Sequence, residues 1–303
     1  SEEDSKPNNA FTFTTTVPQP NAPSPFVSGS MYVCRAYAKV HNNYVYGEER
    51  LFVVDGGNNI IYYETTDGNV TGPKVGGKVG DANVLSNTYV AGVGVIVCDK
   101  DISNITMNHG FSNKSTVKSV ILPESLTIIG NGAFQNCRAL EKINIPDSVT
   151  SIEAQAFFNC TGIEKIELGR YIVSFGTACF YNCTGHLIVK SNITNASALL
   201  FAKFNAVTFS DGVTSCNCSF APIDTLEFVY FGKDFENINS GMFSGCTKLK
   251  EVVMAADGNM VSIGNGAFSG CTALSKVSLA NSIKSIGNNA FSRCIIESIK
   301  LPD

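Results

Sequence analysis

The sequence predicts a β-rich solenoid of stacked coils, each of about 23 residues and carrying one short strand, preceded by a small all-β unit. Three observations carry this. Phe111, Phe134, Phe157 and Phe180 lie 23 residues apart, as do Phe220 and Phe243 and, further on, Phe268 and Phe291. Other side chains keep fixed offsets from these rings, as in Ala133-Phe134-x-x-Cys137-x-x-Leu140-x-x-Ile143-x-Ile145-Pro146 and again in Ala156-Phe157-x-x-Cys160-x-x-Ile163-x-x-Ile166-x-Leu168. A fixed period of roughly 20 to 29 residues with this spacing is the signature of stacked coils. Upstream of the coils, hydrophobicity alternates with a period of two between turn clusters and shows no helical period.

Composition agrees and narrows the function. Of 303 residues 44% are hydrophobic, enough for a sizeable core and too many for disorder throughout. Only 16% are charged, and 22 Lys and Arg against 26 Asp and Glu leave a net charge of −4, so nothing favours a nucleic-acid partner through counterion release. The longest apolar stretch, Val90 to Cys98, falls far short of the roughly 18 to 20 residues that span a bilayer.

Residues 1–30 read as a disordered, Pro-rich tether. Glu2, Glu3 and Asp4 lead into Pro7, Pro18, Pro20, Pro23 and Pro25, with too few aliphatic side chains to offset the entropy of ordering. No charged n-region and apolar h-region precede it, so any signal peptide is expected to have been removed. The acidic opening resembles the stretch after the lipidated cysteine of surface-exported bacterial lipoproteins, which implies a lipid anchor upstream of residue 1.

Residues 31–104 read as a small all-β domain, or as an N-terminal cap for the coils downstream. Tyr32, Cys34, Ala36, Ala38 and Val40 alternate with Val33, Arg35, Tyr37 and Lys39, the pattern of a half-buried strand. Further strands are expected at Tyr44 to Tyr46, Leu51 to Val54, Ile60 to Glu64 and Tyr89 to Cys98, joined by Asn- and Gly-rich turns.

Residues 105–303 form the coils. In the coil of Phe134, Leu140, Ile143 and Ile145 point inward from the strand, Ile128-Ile129-Gly130 run back along the opposite side, and the ring plugs the corner. Such a coil exposes apolar edges until a neighbour covers them, so stacking is obligatory. Pro123 and Pro146 come directly after the strand, where a missing N–H ends pairing without wasting a donor. Between Phe180 and Phe220 the pattern loosens, and Phe201, Phe204, Val207 and Phe209 read as a shortened coil.

The unit Ala267-Phe268-Ser269-Gly270-Cys271-Thr272-Ala273-Leu274, continuing to Ser282-Ile283-Lys284-Ser285-Ile286-Gly287, resembles the BspA-like branch of the leucine-rich repeat proteins. The resemblance runs from Phe111 to Asp303 and implies an α/β-class, β-rich leucine-rich repeat solenoid, curved, on a bacterial cell surface. It implies adhesion or protein binding without catalysis or cofactor, the partner being a protein such as a host extracellular protein, in an extracellular or outer-surface setting. Departures from the pattern fall at Gly185 to Ser219 and in the last coil, where Cys294-Ile295-Ile296 is one residue short.

Six cysteines, Cys137, Cys160, Cys183, Cys246, Cys271 and Cys294, share one repeat position. Stacked coils bring such positions within bridging range, yet pairing would treat neighbouring coils unequally, so buried free thiols are expected. Cys34 and Cys98 sit in two strands of the N-terminal unit, where a bridge is one alternative. Cys179-x-x-x-Cys183-x-x-His186 imitates zinc-ligand spacing, but Cys183 already belongs to the repeat position. Gly72 to Val79 nearly matches a phosphate-binding loop, with Val79 where the magnesium-binding hydroxyl belongs, and reads as a hairpin connection. Gly92-Val93-Gly94 reads as strand packing. The three histidines, His41, His109 and His186, have no motif-defined nucleophile and acid beside them, and no enzyme is expected.

Alternate strand positions of the coils should form a continuous lane on the concave face: Ser119 and Ile121, Lys142 and Asn144, Lys165 and Glu167, Phe228 and Tyr230, Glu251 and Val253, Lys276 and Ser278. Exposed aromatics are enriched at binding hot spots, so Phe228 and Tyr230, with Ile121, Val253, Lys142 and Lys165, are the candidate partner-binding residues. The plainer alternative is that the irregular coils fold over them. A carbohydrate platform of Tyr37, Tyr44, Tyr46, Tyr62 and Tyr63, and an enzyme using Cys216, Cys218 and a histidine, are the rival readings.

Overall fold

The structure, a computed structural model, describes residues 30–40, 43–54, 57–195, 197–199, 201–297 and 299. Residues 1–29, nearly all of the expected tether, lie outside it. The chain divides into two units, Ser1–Gly56 and Gly57–Asp303. In the first, β1 (Ser30–Val40) pairs antiparallel with β2 (Asn43–Val54), with a register shift between Arg35 and Tyr37. The two strands expected at Tyr44 to Tyr46 and Leu51 to Val54 are thus one continuous strand, because β1 is long enough to pair with both.

The second unit opens with β3 (Ile60–Thr65), β4 (Lys78–Val79), β5 (Ala82–Val90), β6 (Val93–Cys98) and β7 (Asn104–Ile105), then a 3-10 turn at Met107–His109. The single strand expected at Tyr89 to Cys98 is instead split into β5 and β6. Ala91 and Gly92 both take positive φ, 51° and 88°, the two-residue turn that suits an antiparallel hairpin. Gly92 is therefore a turn residue, whereas Gly94 lies in β6 beneath the Tyr63 ring. The glycine-rich stretch around Gly72 to Val79 ends in β4, which pairs with β5 as a hairpin.

Eight coils complete the unit. Their strands β8 (Val117–Ile121), β10 (Lys142–Asn144), β12 (Lys165–Glu167), β14 (His186–Val189), β15 (Ala206–Phe209), β16 (Phe228–Phe231), β18 (Glu251–Met254) and β20 (Lys276–Ser278) pair in parallel, each with the next. On the opposite side run β9 (Ile128–Ile129), β11 (Ser151–Ile152), β13 (Ser174–Phe175), β17 (Asn237–Ile238), β19 (Ser262–Ile263) and β21 (Ser285–Ile286). β3 pairs antiparallel with β8, so the hairpin strands extend the parallel sheet into one of twelve strands. The sheet is thus continuous across residue 104. Ile61, Tyr63, Val84, Ile96 and Cys98 share one continuous core with the coils, and the spine of rings begins with Tyr63 edge-on to Phe111.

That spine is the main apolar element of each coil. Phe111, Phe134, Phe157 and Phe180 are fully buried and stack nearly parallel, with centroids 5.8, 5.3 and 5.6 Å apart. Phe220, Phe243, Phe268 and Phe291 form a second stack at 5.0, 5.3 and 5.3 Å. Between them Phe180 meets Phe204 edge-on, and Phe209 bridges to Phe220 and Phe231. Phe204, Val207 and Phe209 are buried as the shortened coil requires. Phe201 is 64% exposed, because its coil spans only 20 residues from His186 to Ala206 and has no corner left for a second ring.

Two backbone positions recur around each ring. Two residues before it the chain takes a positive φ at Gly132, Gln155, Ala178, Gly241, Gly266 and Asn289. Two residues after it Asn113, Asn136, Asn159 and Asn182 do the same, and their side-chain amides form a ladder of hydrogen bonds at 2.7, 3.0 and 2.7 Å. Left-handed backbone costs an ordinary residue about 1 to 2 kcal/mol, which glycine avoids. Gln155, exposed at φ 56°, is therefore expected to give a more stable protein as Gln155→Gly, by up to about 1 kcal/mol, measurable as a raised melting midpoint.

The repeat cysteines are free thiols with a defined task. Each donates to the backbone carbonyl of the ring residue in the preceding coil: Cys137 to Phe111, Cys160 to Phe134 and Cys183 to Phe157 at 2.9 to 3.0 Å, and Cys246 to Phe220, Cys271 to Phe243 and Cys294 to Phe268 at 3.2 to 3.3 Å. Cys98 is also a buried free thiol, and the side chain of Cys34 lies outside the described residues. Cys216 and Cys218 are paired with each other in a disulfide, Cα atoms 5.6 Å apart. They lie where the opposite-side ladder is interrupted: β7, β9, β11 and β13 form one run, β17, β19 and β21 another, and a single bridge from Ile193 to Cys216 stands between. The irregularity of residues 185–219 is thus confined to that side, and the strand face runs through it in register.

Candidate functional site

Period-two alternation builds the strand face. Ile143, Ile166, Leu187, Val207, Val229 and Val252 point into the core, and the residues on either side of each point away from it. Two rows result. One runs Ser119, Lys142, Lys165, His186, Ala206, Phe228, Glu251, Lys276; the other continues from Glu167 through Ile188, Thr208, Tyr230, Val253 and Ser278. His186, Ile188, Ala206 and Thr208 are members that the irregular spacing hides in the sequence. The alternations Leu187-x-Val189 and Val207-x-Phe209 are the signal that finds them.

The six candidate residues fall in three places. Phe228, Tyr230 and Val253 adjoin on β16 and β18 and are half-buried by their neighbours. Lys142 and Lys165 are paired in register and exposed. Ile121, 46% exposed, sits at the far end opposite Tyr62, five strands or roughly 24 Å from Tyr230. The irregular coils do not fold over Phe228 and Tyr230; β15 lies beside them in the same sheet.

Charge is distributed unevenly along the face. Glu167 is held between Lys190 and Lys165, the latter at 3.1 Å, and the Lys190 ammonium keeps its carboxyl below the usual range. Among the described residues neither Lys142 nor Glu251 has an ion-pair partner. The His186 ring nitrogen Nε2 lies 2.9 Å from Thr208 Oγ1, and burial, with Lys165 nearby, lowers its pKa. Beyond the ends of β14 and β15 a depression of about 220 Å³ is lined by Arg170, Lys190, Ser210, Asp211 and Gly212, its charges engaged with Asp147, Glu167 and Lys233.

The other sequence candidates resolve differently. Tyr63 is 1% exposed, its hydroxyl donating to Asn87 Oδ1 at 2.7 Å, and Tyr62 is 3% exposed. Burial raises both phenol pKa values, and neither ring offers an open face for sugar stacking. The side chains of Tyr37, Tyr44 and Tyr46 lie outside the described residues. Cys179 and Cys183 donate to the carbonyls of Ala198 and Phe157, and among the described residues no three His, Cys, Asp or Glu gather as a metal site. His109 closes the 3-10 turn and His41 lies outside the described residues.

Solved structures with related repeats include a leucine-rich repeat protein of T. pallidum, 26% identical over 58% of this chain and 73% of that one with a TM-score of 0.39. A leucine-rich cell surface protein of Faecalibacterium prausnitzii is 22% identical, covering 65% of this chain and 62% of that one at a TM-score of 0.31. The pneumococcal vaccine antigen PcpA is 19% identical, covering 65% and 61% at a TM-score of 0.32. No curated protein matches the chain. Six copies of the BspA type leucine-rich repeat region match residues 103–210 and 192–303, and the chain, most of whose length is built from these coils, belongs to the BspA-type leucine-rich repeat family.

Proposed function

We propose that this protein is a non-catalytic binding scaffold on the outer surface of a bacterium, lipid-tethered, whose strand face holds another protein without a cofactor. A host extracellular protein is the partner class this reading favours. One observation carries it: the apolar group of Ile188 on β14, Phe228 and Tyr230 on β16 and Val253 on β18 is presented outward, with Glu167 and Glu251 as register neighbours. Apolar and aromatic anchors inside a polar rim are the usual anatomy of a hot spot. The surface description of the Faecalibacterium relative supports the setting.

The test is quantitative capture of host extracellular-matrix proteins by the native chain and by the Phe228→Ala, Tyr230→Ala double variant. The expected result is a specific partner whose affinity falls about thirtyfold or more in the variant, the equivalent of roughly 2 kcal/mol, with an unchanged melting midpoint. Equal affinity in both proteins overturns the assignment.

A further inference from the structure

We propose that the strand face receives one aromatic side chain of its protein partner in a notch over Ala206, in an orientation set by Lys142 on one side and Glu251 on the other. This rests on the protein-binding reading above and specifies the chemistry of the partner. Ala206 has the smallest side chain in its row, and its register neighbours are His186 and Phe228. In the adjacent row Thr208 lies between Ile188 and Tyr230. His186 and Phe228 thus stand on strands two spacings, roughly 10 Å, apart, and the His186 ring leans across β15 as far as Thr208, leaving the low floor on the Phe228 side. Inside the protein, rings contributed by successive coils stack at 5.0 to 5.8 Å, so a ring seated over Ala206, one strand from Phe228, would stand at stacking distance from it. The hydrogen bond between His186 Nε2 and Thr208 Oγ1 holds the His186 ring in place before anything binds, which lowers the ordering cost.

Charge decides which way the guest lies. Lys142 is three strands from Ala206, roughly 14 Å, and Glu251 two strands away on the other side, roughly 10 Å. Neither has an ion-pair partner among the described residues, so a guest meets them without first breaking a bond. An extended segment, in which side chains an even number of residues apart share a face, satisfies both with an acidic residue four positions before the aromatic one and a basic residue four positions after it.

The chain contains no Trp, so the fluorescence of a tryptophan probe is unobscured. The probe is a capped peptide with Glu, three Gly or Ser spacers, Trp, three spacers and Lys, and its partner is the same peptide with Glu and Lys exchanged. Expected results are saturable binding of the first peptide, at least tenfold weaker binding to Ala206→Phe, and a preference for the first peptide that reverses in the Lys142→Glu, Glu251→Lys double variant. Circular dichroism melts establish that each variant is folded; should Ala206→Phe fail to fold, the charge exchange at Lys142 and Glu251 decides alone. Absence of binding, equal binding to Ala206→Phe, or an unreversed preference overturns the proposal. If it falls while Phe228→Ala, Tyr230→Ala still loses its protein partner, the notch is wrong and the scaffold reading stands.

Discussion

Phe157→Ala is expected to lower stability by about 3 to 5 kcal/mol, the usual cost of emptying a filled aromatic site in a core. Phe157 is fully buried between Phe134 at 5.3 Å and Phe180 at 5.6 Å, so its removal opens a cavity lined by two coils at once. Neither neighbour can move in to fill it, because each ring is carried by its own coil, held by strand pairing, and the Phe134 carbonyl is also bound by the Cys160 thiol. Coils stabilise one another only through nearest neighbours, so a gap in the middle of the first stack uncouples the flanking arrays. Phe291, half-buried in the last described coil and stacked among the described residues on Phe268 alone, supplies the internal comparison. Phe291→Ala should cost clearly less. Thermal melts of both variants decide the matter, and an unchanged midpoint for Phe157→Ala contradicts the stacking register.

Alkaline pH should destabilise this protein steeply above about pH 9 through its buried thiols. Burial pushes the thiols of Cys246 and Cys271 up to about 12 and that of Cys98 up to about 11, and holds Cys137, Cys160 and Cys179 well above the ordinary thiol value. Unfolded thiols ionise near pH 8.5 to 9, roughly, whereas the folded ones stay protonated. A raised folded pKa therefore gives stability that is complete below about pH 9 and is lost as the pH climbs toward 11 to 12. Each buried thiol removes about 1.4 kcal/mol per pH unit in that window, so Cys246 and Cys271 together account for about 3 kcal/mol at pH 10. The Cys246→Ala, Cys271→Ala variant should melt lower at pH 8 yet lose stability less steeply between pH 9 and 10.5. Parallel slopes for the two proteins would show that the thiols are not the cause. The same burial predicts that iodoacetamide leaves these cysteines unmodified in the native protein and labels them after denaturation.

Legibility of the fold followed the repeat. The ring, the thiol and the inward aliphatic residues of a regular coil recur at fixed offsets because every coil solves the same packing problem against its neighbour, and so their burial could be read from spacing alone. Phe201 shows where this fails. It looks like a core ring in a shortened coil, but the coil is too short to enclose both it and Phe204, and which of the two is expelled depends on the path of the backbone. The candidate site was legible to the same degree. Phe228, Tyr230 and Val253 follow from alternation, whereas the depth of the face between His186 and Phe228 depends on the register across coils of 20 and 22 residues, which no fixed period supplies.

By itself, then, the amino-acid order determined the coil, its period and the chemical character of its two faces, since these are local and repeat until they cannot be mistaken. Only the tertiary structure decided that the hairpin strands β3 and β6 seal the first coil by antiparallel pairing, and that the strand face passes unbroken through the irregular coils while the opposite ladder parts around Cys216. The physical reason is the same in both cases. Pairing between strands far apart in sequence is fixed by which apolar edges remain uncovered once the coils have stacked, and that quantity exists only in three dimensions.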